Sequence, residues 1–299
     1  MAKIAAELER ALTRRAVHGT PGRTTGRLLA RGDGWTVEDM ICTSGPHDRP
    51  FEEQHSRVSI AVVAAGTFQY RSTTGRALMT PGSLLLGNAG QCFECGHEHG
   101  TGDRCISFGY APEYFERIAA DAGASAASLT FSSPALPAVR DSSAVVAQTC
   151  AGLIGSADVS WEELGVRLAA RVARLVSGTP CAPADAPPGS VGRVTRAVRA
   201  IERAPSARLT LRGLADEAGL SPYHFLRTFE RLTGVTPHQY VRRSRLREAA
   251  MRLAIGSAKV IDIAFDCGFG DVSTFNRAFR AEFGVSPRIY RERLRTAAL

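Results

Sequence analysis

The sequence predicts an α+β protein of two domains: an N-terminal antiparallel β unit closed by a helical segment, then an all-α domain with two helix-turn-helix motifs. Three observations carry this. Strand-and-turn patterning is confined to residues 35 to 110, a proline-rich stretch runs from Ser177 to Gly189, and the segment 214 to 240 recurs at 263 to 290. With 299 residues, 44% of them apolar and 22% charged, each half can bury its own core, which argues against disorder. No window approaches 18 consecutive apolar residues, and MAKIAAELERALTRR mixes acid and base instead of placing a charged tip before an apolar block. Neither a membrane span nor an export leader is expected, and the expected compartment is the cytoplasm.

The β unit is read from VSIAVVAAGTFQYRS (58 to 72), RALMTPGSLLLGNAG (76 to 90) and RCISFGY (104 to 110), short apolar runs separated by turn residues. Helices follow at 111 to 123, 144 to 155 and 161 to 178. The last repeats Leu164, Leu168, Val172 and Leu175 near a 3.6-residue period, a stripe that either forms a dimer seam or covers the β unit. Pro180, Pro183, Pro187 and Pro188 make 179 to 190 a linker. The expected division is thus 1 to 125 for the β domain, 126 to 178 for the helical segment, and 191 to 299 for the helical domain. Its two motifs span 209 to 234 and 259 to 284.

Charge separates the halves. Residues 190 to 299 carry 20 Lys and Arg against 10 Asp and Glu, while residues 1 to 189 carry 17 against 19. Only the C-terminal third has the electrostatics of a polyanion binder. Seven cysteines, an odd number in a chain without an export signal, make a disulfide framework improbable.

Within the repeat, Phe225, Arg227, Phe229, Gly234, Val235, Pro237 and Tyr240 return 50 residues later as Phe275, Arg277, Phe279, Gly284, Val285, Pro287 and Tyr290. Ala215 and Gly219 return 49 residues later as Ala264 and Gly268, so the second turn holds one extra residue. Each copy reads as a helix, a glycine turn and a second helix opened by a capping residue; Ser221 followed by Pro222 is such a start. Phe225, Phe229 and Leu232 form the inner face in one copy, and Phe275, Phe279 and Phe283 in the other. The outer faces then present Tyr223, His224, Leu226 and Arg227, and Val272, Ser273, Thr274, Asn276, Arg277 and Arg280. Helices of this width fit the major groove, where Arg pairs with guanine and Thr or Val methyls touch thymine. A joining helix over 238 to 256 starts with Arg242, Arg243, Arg245 and Arg247, expected on phosphates.

These residues resemble the AraC/XylS family of bacterial transcription regulators. The similarity covers about residues 193 to 292, through LADEAGLSPYHFLRTFERLTGVTPHQYVRRSRLREAAMRL and IDIAFDCGFGDVSTFNRAFRAEFGVSPRIYR. It implies a seven-helix, two-headed domain reading double-stranded promoter DNA, with Tyr223, His224, Leu226, Arg227, Val272, Ser273, Thr274 and Arg277 at recognition positions. Leu226 and Val272 stand where members often carry polar readers, so base preference is not inherited. The family commonly adds a cupin-like, effector-binding antiparallel β-barrel, which residues 35 to 110 resemble through Pro81-Gly82-Ser83-Leu84-Leu85-Leu86. Phe93 falls about where metal-dependent cupins place a histidine, and the paired-histidine motif is absent near His55.

A separate cluster, QCFECGHEHGTGDRC, places Cys92, Cys95, His97, His99 and Cys105 within 14 residues. On a continuous strand Cys95, His97 and His99 share a face opposite Cys92, and the Gly100 to Gly102 turn can return Cys105 alongside. That permits a zinc or copper site, a thiol-redox sensor, or plain buried thiols. His55, Phe68, Tyr70 and Phe93, with Trp35, are candidates for an effector pocket. The resulting expectation is a transcription regulator, an activator by family resemblance, that answers to a small-molecule, metal or redox signal. Its partners would be promoter DNA, RNA polymerase and a second copy of the chain, with no membrane and no catalysis. The alternative is a metal-dependent cupin enzyme fused to a nucleic-acid-binding module, with Glu94 and Glu98 facing away from the cluster.

Overall fold

The computed structural model describes residues 2–124, 130–154, 160–176 and 189–296. Helix α1 (Ala2–His18) has no counterpart among the elements expected from sequence, because its charges mask a short apolar stripe. Ile4 and Leu8 from that stripe are buried against a sheet. The strands are β1 (Thr24–Gly32), β2 (Trp35–Cys42), β3 (Phe51–Gln54), β4 (Val58–Gly66), β5 (Phe68–Ser72), β6 (Gly75–Met79), β7 (Leu84–Gly87), β8 (Cys92–Gly96), β9 (Asp103–Tyr110) and β10 (Ala135–Leu136). They form two antiparallel sheets, one in the order β1-β2-β9-β4-β7-β10 and one in the order β3-β8-β5-β6. Among the described residues no strand pair joins the sheets, so the expected closed barrel is an open two-sheet sandwich.

Alternation along the central strands divides this half into two layers. Val37 on β2, Ile60 and Val62 on β4, and Ile106 and Phe108 on β9 face outward into a core closed by helices. These are α1, α2 (Pro112–Asp121), α3 (Arg140–Gly152) and α4 (Trp161–Val176). Leu164, Leu168 and Val172 lie in this core, with Leu175 packed against it, so the α4 stripe covers the sandwich and is not free to form a dimer seam. Tyr110 Oη donates to the Gly165 carbonyl at 2.8 Å, fixing the helix on the sheet. Arg104, also on the outward face, is buried; its Nε and Nη2 donate to both oxygens of Asp39 at 2.9 and 2.8 Å, and its Nη1 donates to the Ile4 carbonyl at 3.1 Å. Residues of the expected linker from 177 to 188 lie outside the described residues.

The C-terminal part consists of α5 (Ser190–Arg203), α6 (Leu211–Ala218), α7 (Pro222–Thr233), α8 (Pro237–Ile255), α9 (Val260–Asp266), α10 (Val272–Phe283) and α11 (Pro287–Thr296). Each copy of the repeat has its own core. Phe225 and Phe229 pack with Ile201, Leu214 and Tyr240, whereas Phe275 and Phe279 pack with Leu253, Ile263 and Tyr290. Helix α8 serves both cores and sets the spacing of the two heads. The N-terminal half enters each one: Leu78 of β6 joins the first head's core and Ala147 of α3 the second's, while Met251 of α8 joins the sandwich core. The halves are therefore packed together as well as joined by the chain.

Candidate nucleic-acid interface and sensor cavity

Both second helices of the repeat are started by local chemistry. The Ser221 hydroxyl accepts from the His224 amide, with Pro222 in the first turn of α7, and the Asp271 carboxylate accepts from the Thr274 amide at 2.7 Å at the start of α10. Gly219, at φ 64°, supplies the left-handed residue that ends α6 and turns the chain. With the phenylalanines inward, Tyr223, His224 and Arg227 are exposed on α7, and Ser273, Thr274, Asn276, Arg277 and Arg280 on α10. Leu226 and Val272 are half-buried. Arg227 lies with its guanidinium carbon 5.9 Å from the Tyr223 ring centre, and Arg277 donates to the Thr274 hydroxyl at 3.4 Å, so each arginine is steadied by a neighbour one turn away.

The joining helix behaves differently from expectation. Arg242 is exposed, but Arg243 donates from Nε to Glu282 at 3.2 Å and from Nη1 to the Ala138 carbonyl at 2.9 Å. Arg245 donates to the carbonyls of Pro205, Ala207 and Gly268, and Arg247 is buried against Glu202 at 2.9 Å. A run of arginines on one helix spreads around its circumference every 100° or so, and only some of them can face a duplex. Arg243 is corrected from a phosphate ligand to a strut between the domains.

Between the two sheets lies a cavity of about 270 Å³, lined by residues that include His55, Phe68, Phe93, Cys42, Cys95 and Cys105. His55 stacks on Phe93 with ring centres 4.1 Å apart and meets the buried Tyr70 hydroxyl at 2.8 Å. Burial holds its imidazole down at about 4, so it is neutral at ordinary pH. At one end, Cys42, His97 and Asp103 each bring a donor atom within 4.8 Å of the others. His97 Nε2 and Asp103 Oδ1 are 2.6 Å apart, and Cys105 Sγ donates to Asp103 Oδ2 at 3.3 Å. Burial alone would push His97 down, but Asp103 and Cys42 beside it outweigh that and hold it at about 9. Burial likewise raises the Cys42 thiol, yet the His97 ring brings it below the usual thiol range. Burial drives Cys95 and Cys105 the other way, toward neutral thiols.

Two family models match the chain. One, described as a helix-turn-helix domain, matches residues 214–293; the other, described as an AraC-like ligand binding domain, matches residues 42–170. In both halves, then, the chain is similar to AraC-type regulators: an AraC-like ligand binding domain followed by a helix-turn-helix domain. It is similar to the HTH-type transcriptional activator AarP of Providencia stuartii, 37% identical over 84 residues, 28% of this chain and 62% of that protein. It is also similar to the HTH-type transcriptional activator RhaS of Escherichia coli O157:H7, 42% identical over 79 residues, 26% of this chain and 28% of that protein. The chain thus spans less than two thirds of either relative. Among solved structures, the DNA-binding domain of AdpA in complex with a target DNA is 28% identical, with a TM-score of 0.34, covering 35% of this chain and 95% of that one.

The ligand residues foreseen from sequence separate in space. Cys95 and Cys105 both line the cavity, and His97 reaches them through Asp103, after a turn closed by the Gly100 amide on the His97 carbonyl. Cys92 is exposed on the other face of β8, and His99 lies past the strand's end, exposed and against Gly192 of α5, so neither joins the group. Trp35 faces the helix-covered core and not the cavity. Two members were missed: Cys42 and Asp103, directly paired across β2 and β9. Their pairing depends on strand register, and 61 residues of sequence separate them. Strand alternation was the one available signal, since β2 read alone puts Cys42 on the face of Thr36, Glu38 and Met40.

Proposed function

We propose that this protein is a sequence-specific DNA-binding transcription regulator whose sandwich domain senses a small-molecule, metal or redox signal in the inter-sheet cavity. One observation carries this: equivalent polar faces, Tyr223, His224 and Arg227 on α7 and Ser273, Thr274 and Arg277 on α10, stand exposed on two separately cored heads. A surface with only a structural role has no need to repeat an outward arginine at the same place in both copies. Inserted in neighbouring major-groove segments, these side chains would read base edges, with Arg242 and Arg280 adding phosphate contacts. The designation of AarP and RhaS as activators favours activation, which makes RNA polymerase a further partner. No helix among the described residues is long and apolar enough to cross a membrane, and action on promoter DNA in the cytoplasm accords with that.

The test is selection of bound duplexes from a random pool by the full chain, with and without cell extract as a source of effector. An enriched, asymmetric motif of two half-elements about one helical turn apart is expected. A pool that stays unenriched at moderate salt would leave only non-specific association. Transcription from a promoter carrying the motif then separates activation from repression.

A further inference from the structure

We propose that the buried cluster beside the cavity is a binding site for one thiophilic divalent cation of the zinc type, held by Cys42 Sγ, the His97 imidazole and the Asp103 carboxylate, with Cys105 Sγ as fourth donor. This rests on the sensor role proposed for the sandwich domain and names what it takes. A cysteine, a histidine and a carboxylate with a second cysteine alongside is a donor set suited to zinc, softer than magnesium or calcium sites. Bonds of 2.0 to 2.3 Å around a tetrahedral ion put donor atoms roughly 3.5 Å apart. One donor from each of the first three residues already falls within 4.8 Å of the others, and Cys105 Sγ is 3.3 Å from Asp103 Oδ2.

Two further features favour an ion over a plain polar cluster. Cys42, His97 and Asp103 are all buried, so the three donors converge out of solvent, as a structural ion site requires. The donors also come from both layers of the sandwich: Cys42 and Asp103 sit opposite each other on β2 and β9, while His97 follows β8 in the other sheet. An ion would therefore tie the sheets together.

The same site adjoins the DNA-binding half. In the turn after His97, the His99 ring lies 3.1 Å from where a side-chain carbon on Gly192 would stand, and Arg199 Nη2 donates to the Thr101 carbonyl at 3.2 Å. Gly192 and Arg199 belong to α5, whose Val194, Val198 and Ile201 form part of the first head's core. Drawing His97 and Asp103 onto an ion would thus shift the turn on which α5 leans, and change duplex affinity.

The experiment uses full-length protein purified without chelator, stripped, and titrated with zinc and cobalt. One equivalent of cobalt should bind with a thiolate-to-metal charge-transfer band. Cys42→Ser should weaken binding by more than the roughly 10- to 100-fold lost with an outer partner of a metal ligand. Asp103→Asn and Cys105→Ser should weaken it too, and Cys92→Ser should leave it intact. Cooperative thermal unfolding of each variant shows that it folds; Cys42→Ala replaces the serine variant if that one does not. Absence of the band, or binding unaffected by Cys42→Ser and Cys42→Ala, overturns the site. With zinc, affinity for the selected duplex should change by at least about 5-fold in wild type and not in the Cys42 variant; an unchanged affinity overturns the coupling. Selective duplex binding without metal binding sinks the ion and spares the regulator, whereas metal binding without any selected duplex does the reverse.

Discussion

Glu282 of α10 accepts hydrogen bonds from Ser143 on α3 and from Arg243 on α8, so a single buried carboxylate joins the sandwich domain to both the joining helix and the second head. The opposite face of α10 carries Ser273, Thr274 and Arg277. Any movement of α3 against the sandwich is therefore felt by the helix proposed to read bases. At the first head, Pro137 fills the space a side chain on Gly234 would need, a second close approach from the same segment.

Glu282→Ala removes the acceptor and leaves the Arg243 guanidinium, whose side chain is 14% exposed, facing only the Ala138 carbonyl. Breaking a buried pair in this way is expected to cost about 3 kcal/mol, against about 1 kcal/mol for Ser143→Ala. Denaturant unfolding of the two single variants and the double variant should give a coupling energy of at least about 0.5 kcal/mol. Strict additivity would mean that the two side chains do not interact in solution.

The arginines of α8 should divide by environment. Arg242→Ala is expected to weaken binding to all duplexes alike and lower the slope of log affinity against log salt by about one. Arg243→Ala should lower stability and leave that slope unchanged, because its charge is spent on Glu282. Affinity titrations at four salt concentrations make the comparison, and a reduced slope for Arg243→Ala would restore it as a phosphate ligand.

Arg277→Ala is expected to lower affinity for the selected duplex by about 1–3 kcal/mol and to relax preference at one base position; Arg227→Ala should do the same in the other half-element. Repeating the pool selection with each variant locates the position. If both variants select the wild-type motif with undiminished information, these outer faces do not read sequence.

How far the sequence announces this structure depends on the range of the signal. The heads are legible because everything that defines them is local: capping by Ser221, a left-handed Gly219, phenylalanines one turn apart, and all of it twice. Helix α4 and the strands β4, β7 and β9 are legible by period. The residues of the cavity and its adjoining cluster are half visible, since Cys95, His97 and Cys105 are close in sequence, whereas Cys42 reaches them only through the β2–β9 register. Arg243 was misread because composition places charge on a helix without saying which arc is covered, and the covering segment lies 105 residues away at Ala138.

Leu168 decides between the two uses of the α4 stripe. It is fully buried with Phe108 and Val172 in the sandwich core, so Leu168→Ala should cost about 2–5 kcal/mol. Its oligomeric state by light scattering should match wild type across a hundredfold range of concentration. A variant that dissociates, with stability that depends on protein concentration in the wild type alone, would reinstate the seam.

His55 gives the protein an acid limit. In the unfolded chain its imidazole has the usual value of about 6.5, whereas burial beside Phe93 and Tyr70 holds it at about 4 in the folded state. Between those values the unfolded chain binds more protons, so stability must fall as pH drops from about 6.5 to about 4. The difference between about 6.5 and about 4 corresponds to roughly 3 kcal/mol at most across that window, and contributes nothing to the slope above pH 7. His55→Gln keeps a partner for the Tyr70 hydroxyl and removes the titration. Denaturant midpoints measured every half unit from pH 4 to 8 should show a shallower acid loss in the variant than in wild type. Parallel profiles would mean that the His55 ring is solvated in the folded protein, and that the cavity is wetter at that end than its packing against Phe93 implies.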